Sequence, residues 1–105
     1  MEHRDDFTAA LRRIGEMEEI LDETARVRAA LSTGLDRLEA AREDMKSLFR
    51  YYGSEEWHED RERSLPAGTR AGVLSEDLVY DEITGLREDC IRMLELSADI
   101  LKNVL

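Results

Sequence analysis

An unbroken helical repeat over residues 4–50 limits this chain to a small set of folds. The stretch contains no proline, and its apolar residues return every three or four positions. One heptad column holds Phe7, Ile14, Leu21, Arg28, Leu35, Arg42 and Phe49, and the next holds Ala10, Met17, Thr24, Leu31, Leu38, Met45 and Tyr52. Because the period stays near 3.5 residues, the pattern predicts one long helix with left-handed supercoiling.

A third column beside these two is also mostly apolar. It consists of Ile20, Val27, Gly34, Ala41 and Leu48. Three columns make a stripe that is wider than a two-stranded seam, so this helix is expected to contact two or more neighbours. A break near Gly34 is the alternative, because Thr33 with Asp36 resembles a helix start. We favour a continuous helix because the heptad register passes through Gly34 unshifted.

Two arginines, Arg28 and Arg42, interrupt the first column. One interpretation is a pair of buried arginines that binds an anion. We favour the other, in which the side-chain stems pack on the helix and the guanidinium groups reach acids at the edge of the bundle.

The repeat ends at Tyr52, and residues 51–74 form a connector. Gly53 can adopt the left-handed conformation that ends a helix. Ser54 precedes two glutamates, which predicts the N-cap of a short helix over about residues 55–62. The sequence Leu65-Pro66-Ala67-Gly68 then predicts a turn or loop.

Ser75 predicts the start of a last amphipathic helix over about residues 75–103. One of its heptad columns holds Val79, Leu86, Met93 and Ile100, and the next holds Ile83, Cys90, Ser97 and Val104. Cys90 is therefore expected to face the core, where an apolar environment keeps a thiol protonated and unreactive.

Together these elements predict an all-α fold, a single helical domain over residues 1–105. Its two long helices pack as an antiparallel hairpin, with the short helix in the connector. At about 1.5 Å per residue the first helix is ~70 Å long and the last ~45 Å, which leaves ~25 Å of apolar stripe uncovered. We expect a second copy of the chain to cover this end and form a homodimer. The residues assigned to self-association are Phe7, Leu11, Ile14, Met17 and Leu21.

The charge balance narrows the classes of partner. Acids outnumber bases 25 to 15, for a net charge of −10. This disfavours binding to nucleic acids and to anionic membrane surfaces. The single cysteine cannot form an internal disulfide, and the N-terminus lacks the apolar stretch of a signal peptide. We expect a cytoplasmic protein with neither a nucleic-acid nor a membrane partner.

Two further hypotheses, a divalent-metal site and a metal-dependent hydrolase, rest on the spacing of acidic side chains. Glu55, His58, Glu59 and Glu62 could share one helical face, but an acidic surface helix has the same pattern without an ion. Acids spaced three apart, such as Glu16 with Glu19, are similar to the magnesium site of all-α nucleotide pyrophosphatases, yet no basic cluster accompanies them. We therefore expect no metal, no other cofactor and no catalytic residue.

Aromatic residues concentrate in the connector. Tyr51, Tyr52 and Trp57 are three of the six aromatic residues of the chain and lie within seven positions. They could cap the end of the bundle as a small satellite core, or they could form a groove for a protein partner. The candidate partner-binding residues are Tyr51, Tyr52, Trp57, Leu65, Val73 and Leu74.

Two strings in the connector resemble a known family. They are Tyr51-Tyr52-Gly53-Ser54-Glu55-Glu56-Trp57, and Gly72-Val73-Leu74-Ser75-Glu76-Asp77 followed by Tyr80-Asp81. They are similar to a small bacterial domain-of-unknown-function family, over about residues 13–102. The resemblance implies a short, all-helical, intracellular bacterial protein and brings no activity. The sequence thus predicts a non-enzymatic protein–protein interaction or scaffold module, and a divalent-metal-dependent hydrolase is the alternative.

Overall fold

The computed structural model describes residues 2–105 and shows an all-helical protein, as predicted. Helix α1 covers Glu2–Tyr51, α2 covers Glu55–Arg61 and α3 covers Glu76–Asp99. A 3₁₀ turn at Gly72–Leu74 precedes α3, and a π-helical turn at Ile100–Val104 follows it. No β-strand occurs among the described residues. None of the helices in this part of the chain is both long and apolar enough to cross a membrane.

Helix α1 continues through Gly34 without a break. Its 50 residues correspond to a length of about 75 Å. A glycine inside a helix costs only about 1 kcal/mol, which the neighbouring turns of a long helix can offset. The alternative of a first helix that folds back at Gly34 is therefore not realised.

The chain divides into two compact units, Met1–Arg42 and Glu43–Leu105. The described residues of the first unit are helical throughout and all belong to α1. The second unit contains the last turns of α1, then α2, the 3₁₀ turn, α3 and the π-helical turn. The buried core and the predicted connector both lie in this second unit.

Two serines and a glycine fix the boundaries of the helices in the second unit. Gly53 has a φ of +79°, the left-handed conformation that ends α1. The Ser54 hydroxyl accepts a hydrogen bond from the Trp57 amide at 3.2 Å and caps α2. The Ser75 hydroxyl accepts hydrogen bonds from the Asp77 and Leu78 amides at 3.2 and 3.4 Å and caps α3. Both predicted N-caps are confirmed.

The core is small. Among the residues that the structure describes, only Trp57 and Val79 are buried hydrophobic residues, each 4% exposed. Half-buried apolar residues of the second unit accompany them, among them Met45, Leu48, Phe49, Ile83, Leu86 and Met93. So few buried side chains leave much of the apolar surface of the chain in contact with solvent.

Cys90 is exposed, so the prediction that it faces the core was wrong. Helix α3 is covered at Val79, Ile83 and Leu86, whereas Cys90 and its neighbours in sequence, Asp89 and Ile91, are exposed. Nearby, Ile91 is 49% exposed. The heptad columns identify the apolar face of α3 correctly, but they do not indicate how much of that face the rest of the chain covers.

Candidate functional site

The first unit exposes a continuous apolar stripe along α1. Nine large side chains, each 46–66% exposed, form it: Phe7, Leu11, Ile14, Met17, Ile20, Leu21, Val27, Leu31 and Leu35. Neighbours in this series are mostly three or four residues apart, the spacing that places side chains on one face of a helix. We call this set the α1 stripe.

All five residues predicted for self-association belong to the α1 stripe. Each of them is more than half exposed. The structure adds four residues that the prediction expected the last helix to cover: Ile20, Val27, Leu31 and Leu35. The heptad columns already contained them, so the sequence signal was present. The heptad pattern did not indicate how many turns of α1 the last helix would cover.

Arg28 and Arg42 are both exposed. Neither forms an ion pair within the described chain, where the nearest pair joins Arg26 to Glu23 at 3.0 Å. Fourteen residues separate Arg28 from Arg42, which is about 21 Å along the helix. The two guanidinium groups therefore cannot hold one small anion together.

Trp57 anchors α2 to the chain around it. Its indole Nε1 donates a hydrogen bond to the Val73 carbonyl oxygen at 2.8 Å. The Tyr52 ring meets it edge-on, with centroids 5.1 Å apart. The Arg61 guanidinium carbon lies 4.6 Å from the ring centroid, a cation–π contact. We call these four residues the tryptophan cluster.

The tryptophan cluster is tied to the start of α3 at Glu76. The Tyr52 hydroxyl donates to the Glu76 carbonyl oxygen at 2.7 Å. The Arg61 guanidinium pairs with the Glu76 carboxylate at 3.1 Å. The cluster therefore fixes the end of α1 and α2 to the first residue of α3.

Tyr51 and Asp60 form a second link across the connector. The Tyr51 hydroxyl donates to Oδ2 of Asp60 at 2.6 Å, and Arg63 donates to Oδ1 at 3.1 Å. The hydrogen bond from Tyr51, helped by that from Arg63, lowers the pKa of the Asp60 carboxyl. The same bond, together with partial burial and the nearby negative charge, raises the pKa of Tyr51.

The structure brings only part of the predicted partner-binding set together. Tyr52, Trp57 and Val73 meet in the tryptophan cluster, where the indole N–H already has an acceptor. Tyr51 and Leu74 are half-buried. The exposed members are Leu65 and Val73, each 42% exposed. The contacts are those of a satellite core, and partner binding at these residues stays a prediction.

Two shallow cavities lie between the last turns of α1 and the first half of α3. One, of about 420 Å³, is lined by Leu48, Arg70, Gly72, Val73, Leu78, Val79 and Glu82. The other, of about 370 Å³, is lined by Met45, Leu48, Phe49, Glu82, Gly85, Leu86 and Asp89. Their walls are mainly apolar, so these cavities suit aliphatic side chains better than polar ligands.

Acidic side chains do not converge in the part of the chain that the structure describes. Among the side chains that the structure describes, no three from histidine, cysteine, aspartate and glutamate lie close enough together to hold a metal ion. Glu55, His58 and Glu59 lie on α2, and Glu62 is its C-cap residue. All four are exposed.

The fold and these surfaces define an all-helical protein with a small core and a long, exposed apolar helix face. A family model described as a domain of unknown function (DUF4298) matches residues 14–96, more than three quarters of the chain. The chain belongs to this family, and the resemblance seen in the sequence is confirmed. The chain has no match among curated proteins or solved structures.

Proposed function

We propose that this protein is a non-enzymatic interaction or scaffold module of the bacterial cytoplasm, and that it forms a homodimer through the α1 stripe. One observation carries the proposal. Nine large apolar side chains lie at heptad-like spacing on one helix and are 46–66% exposed. Contiguous apolar surface of this kind marks interaction sites in soluble proteins.

Burial of the α1 stripe yields enough free energy to drive association. Fully burying one such side chain stabilises by about 1.5–3 kcal/mol. Since about half of each side chain is still exposed, burying the rest at nine positions gives on the order of 10 kcal/mol per copy. Two copies bury twice as much. Association costs about 4–15 kcal/mol in lost freedom, which the gain of both copies exceeds.

The charge of the chain supports a protein partner over other classes. A net charge of −10 repels nucleic-acid phosphates and anionic lipids. A second copy of the same chain supplies a matching apolar stripe, and two-fold pairing is the commonest closed arrangement.

We also infer that the end of α1 and the start of α3 form the predicted antiparallel hairpin within the second unit. Leu48 shares a cavity with Val79, while Met45 shares one with Leu86. Earlier positions of α1 thus lie beside later positions of α3. This order supports antiparallel packing.

Light scattering tests the proposed homodimer. We expect a mass near twice 12.1 kDa for the wild type. Ile14→Glu places a charge in the α1 stripe and should shift the mass towards 12.1 kDa. Thr33→Glu is the matched control, because residue 33 lies on the opposite face of α1 and should leave the dimer intact.

A wild-type mass of 12.1 kDa at high micromolar concentration would overturn the proposal. So would equal masses for Ile14→Glu and Thr33→Glu, because the α1 stripe would then play no part in association.

A further inference from the structure

Charge is unevenly distributed along α1, and this bears on how two copies meet. Residues 2–24 carry eight acids and three bases, whereas residues 25–50 carry four acids and six bases. The first half has a net charge of −5 and the second +2. Antiparallel pairing sets the acidic first half of one copy against the second half of the other, which has no excess of acids, while parallel pairing sets each half against its own copy.

An acidic run near the middle of the α1 stripe strengthens this difference. Residues 16–23 contain five acids and no base. In a parallel dimer that is in register, this run lies beside itself and the like charges repel. In an antiparallel dimer centred close to the run, it lies beside residues 22–29, whose two bases, Arg26 and Arg28, balance their two acids, so the repulsion is weaker.

Arg28 itself favours the same orientation. It interrupts the first heptad column of α1, is exposed, and takes part in no ion pair within the described residues. Parallel pairing would place it against Arg28 of the partner subunit, inside an apolar seam. Two unpaired guanidinium groups in such a seam are costly.

We infer that two α1 helices pair antiparallel around a two-fold axis near residues 22 and 23; this rests on the proposed self-association. In this register the first heptad column of one copy meets the second column of the other. Phe7 meets Leu38 of the partner subunit, and Ile14 meets Leu31 of the partner subunit. All of these positions lie within the first unit, Met1–Arg42.

The same register gives Arg28 a partner. Its position falls opposite Met17 of the partner subunit, on which the aliphatic stem packs. The guanidinium group then reaches Glu18 of the partner subunit, a charge-assisted contact repeated twice by symmetry. The orientation therefore turns the interruption of the apolar column into a specific contact between copies.

Distances between spin labels on the full-length protein test this orientation. Two variants are compared, each with one spin label per chain and each in a Cys90→Ser background. The first carries the label at Thr8→Cys, and the matched control carries it at Asp22→Cys. Residues 8 and 22 lie in the same outward column of α1. With an axis between residues 22 and 23, labels at position 8 are 29 residues apart along the helix, about 45 Å. Labels at position 22 should be no more than about 25 Å apart, the width of two adjacent helices.

The outcomes separate orientation from association. A long distance at position 8 with a short one at position 22 supports the inference. Short distances at both positions mean parallel pairing, which overturns the inference and leaves the homodimer standing. Long distances at both positions also overturn it, because the axis then lies elsewhere. If neither position shows dipolar coupling and the mass is 12.1 kDa, the chain is a monomer and the proposed homodimer is wrong as well.

Discussion

At the scale of single residues, Tyr51 and Asp60 make the stability of the connector depend on pH. The pKa of Asp60 is held below its ordinary value of 3.8 by the hydrogen bond from Tyr51 and then by that from Arg63. Its stabilisation is therefore complete above about pH 4 and is lost as the pH falls through the lowered pKa. The pKa of Tyr51 lies above 10.0, so its contribution is lost only as the pH rises through that raised value.

Tyr51→Phe should accordingly flatten the acid limb of the stability profile. The variant lacks the hydroxyl that lowers the pKa of Asp60 most, so it should lose less free energy of unfolding than the wild type between about pH 6 and pH 2. Urea denaturation across this range measures the difference. Tyr80→Phe is the control, since Tyr80 is 57% exposed and should reproduce the wild-type slope. Identical slopes for wild type and Tyr51→Phe would contradict the role of the bond.

The two capping serines should respond differently to aspartate. Ser75 uses its hydroxyl to accept amide hydrogen bonds, and a carboxylate can replace it in that role. Ser54 also donates to the Tyr51 carbonyl oxygen at 2.6 Å, which a carboxylate cannot do. Both alanine variants should lose about 0.5–2 kcal/mol of stability.

Thermal or urea denaturation of four variants checks this difference. Ser75→Asp should nearly match the wild type, whereas Ser54→Asp should recover only part of the stability that Ser54→Ala loses. Full rescue by aspartate at residue 54 would show that the bond to Tyr51 contributes little.

At the scale of the helix, the charges of α1 should control association. Arg28→Glu should weaken the homodimer by roughly tenfold or more, because it creates like charges beside Glu18 of the partner subunit. Adding Glu18→Arg to the same chain should restore most of the affinity. Sedimentation equilibrium measures the dissociation constants.

Arg87→Glu is the matched control for this charge reversal. It changes the net charge equally but alters an exposed arginine of α3, which does not belong to the proposed pairing of α1 helices. Its effect on the dissociation constant should therefore be much smaller. If both single reversals weakened the dimer equally, total charge rather than the position of Arg28 would be responsible.

At the scale of the whole molecule, a chelator should leave the melting temperature unchanged. The candidate acids Glu55, Glu59 and Glu62 are exposed, and exposed acids that do not converge bind divalent ions weakly. Calorimetry with and without EDTA is the measurement. A fall of several degrees that Mg²⁺ or Zn²⁺ reverses would contradict this prediction and favour the hydrolase alternative.

The parts of the fold that depend on local sequence could be predicted. Heptad spacing indicated α1, and the hydroxyls of Ser54 and Ser75 indicated the starts of α2 and α3, because caps act over two or three residues. The bond from Trp57 to the Val73 carbonyl spans 16 residues and depends on how the loop returns. The exposure of Cys90 likewise depends on how far α3 is covered, which no local pattern records.

The single tryptophan lies in the second unit, and this placement lets two stages of refolding be observed separately. Contacts around Trp57 join residues of one chain that are no more than 16 positions apart, so its fluorescence should recover in a fast, first-order phase. If α1 stripes must meet to become buried, far-ultraviolet circular dichroism should show a later phase whose rate rises with protein concentration. Stopped-flow recordings at several concentrations would reveal it, and a rate independent of concentration for both signals would mean that each chain completes folding alone.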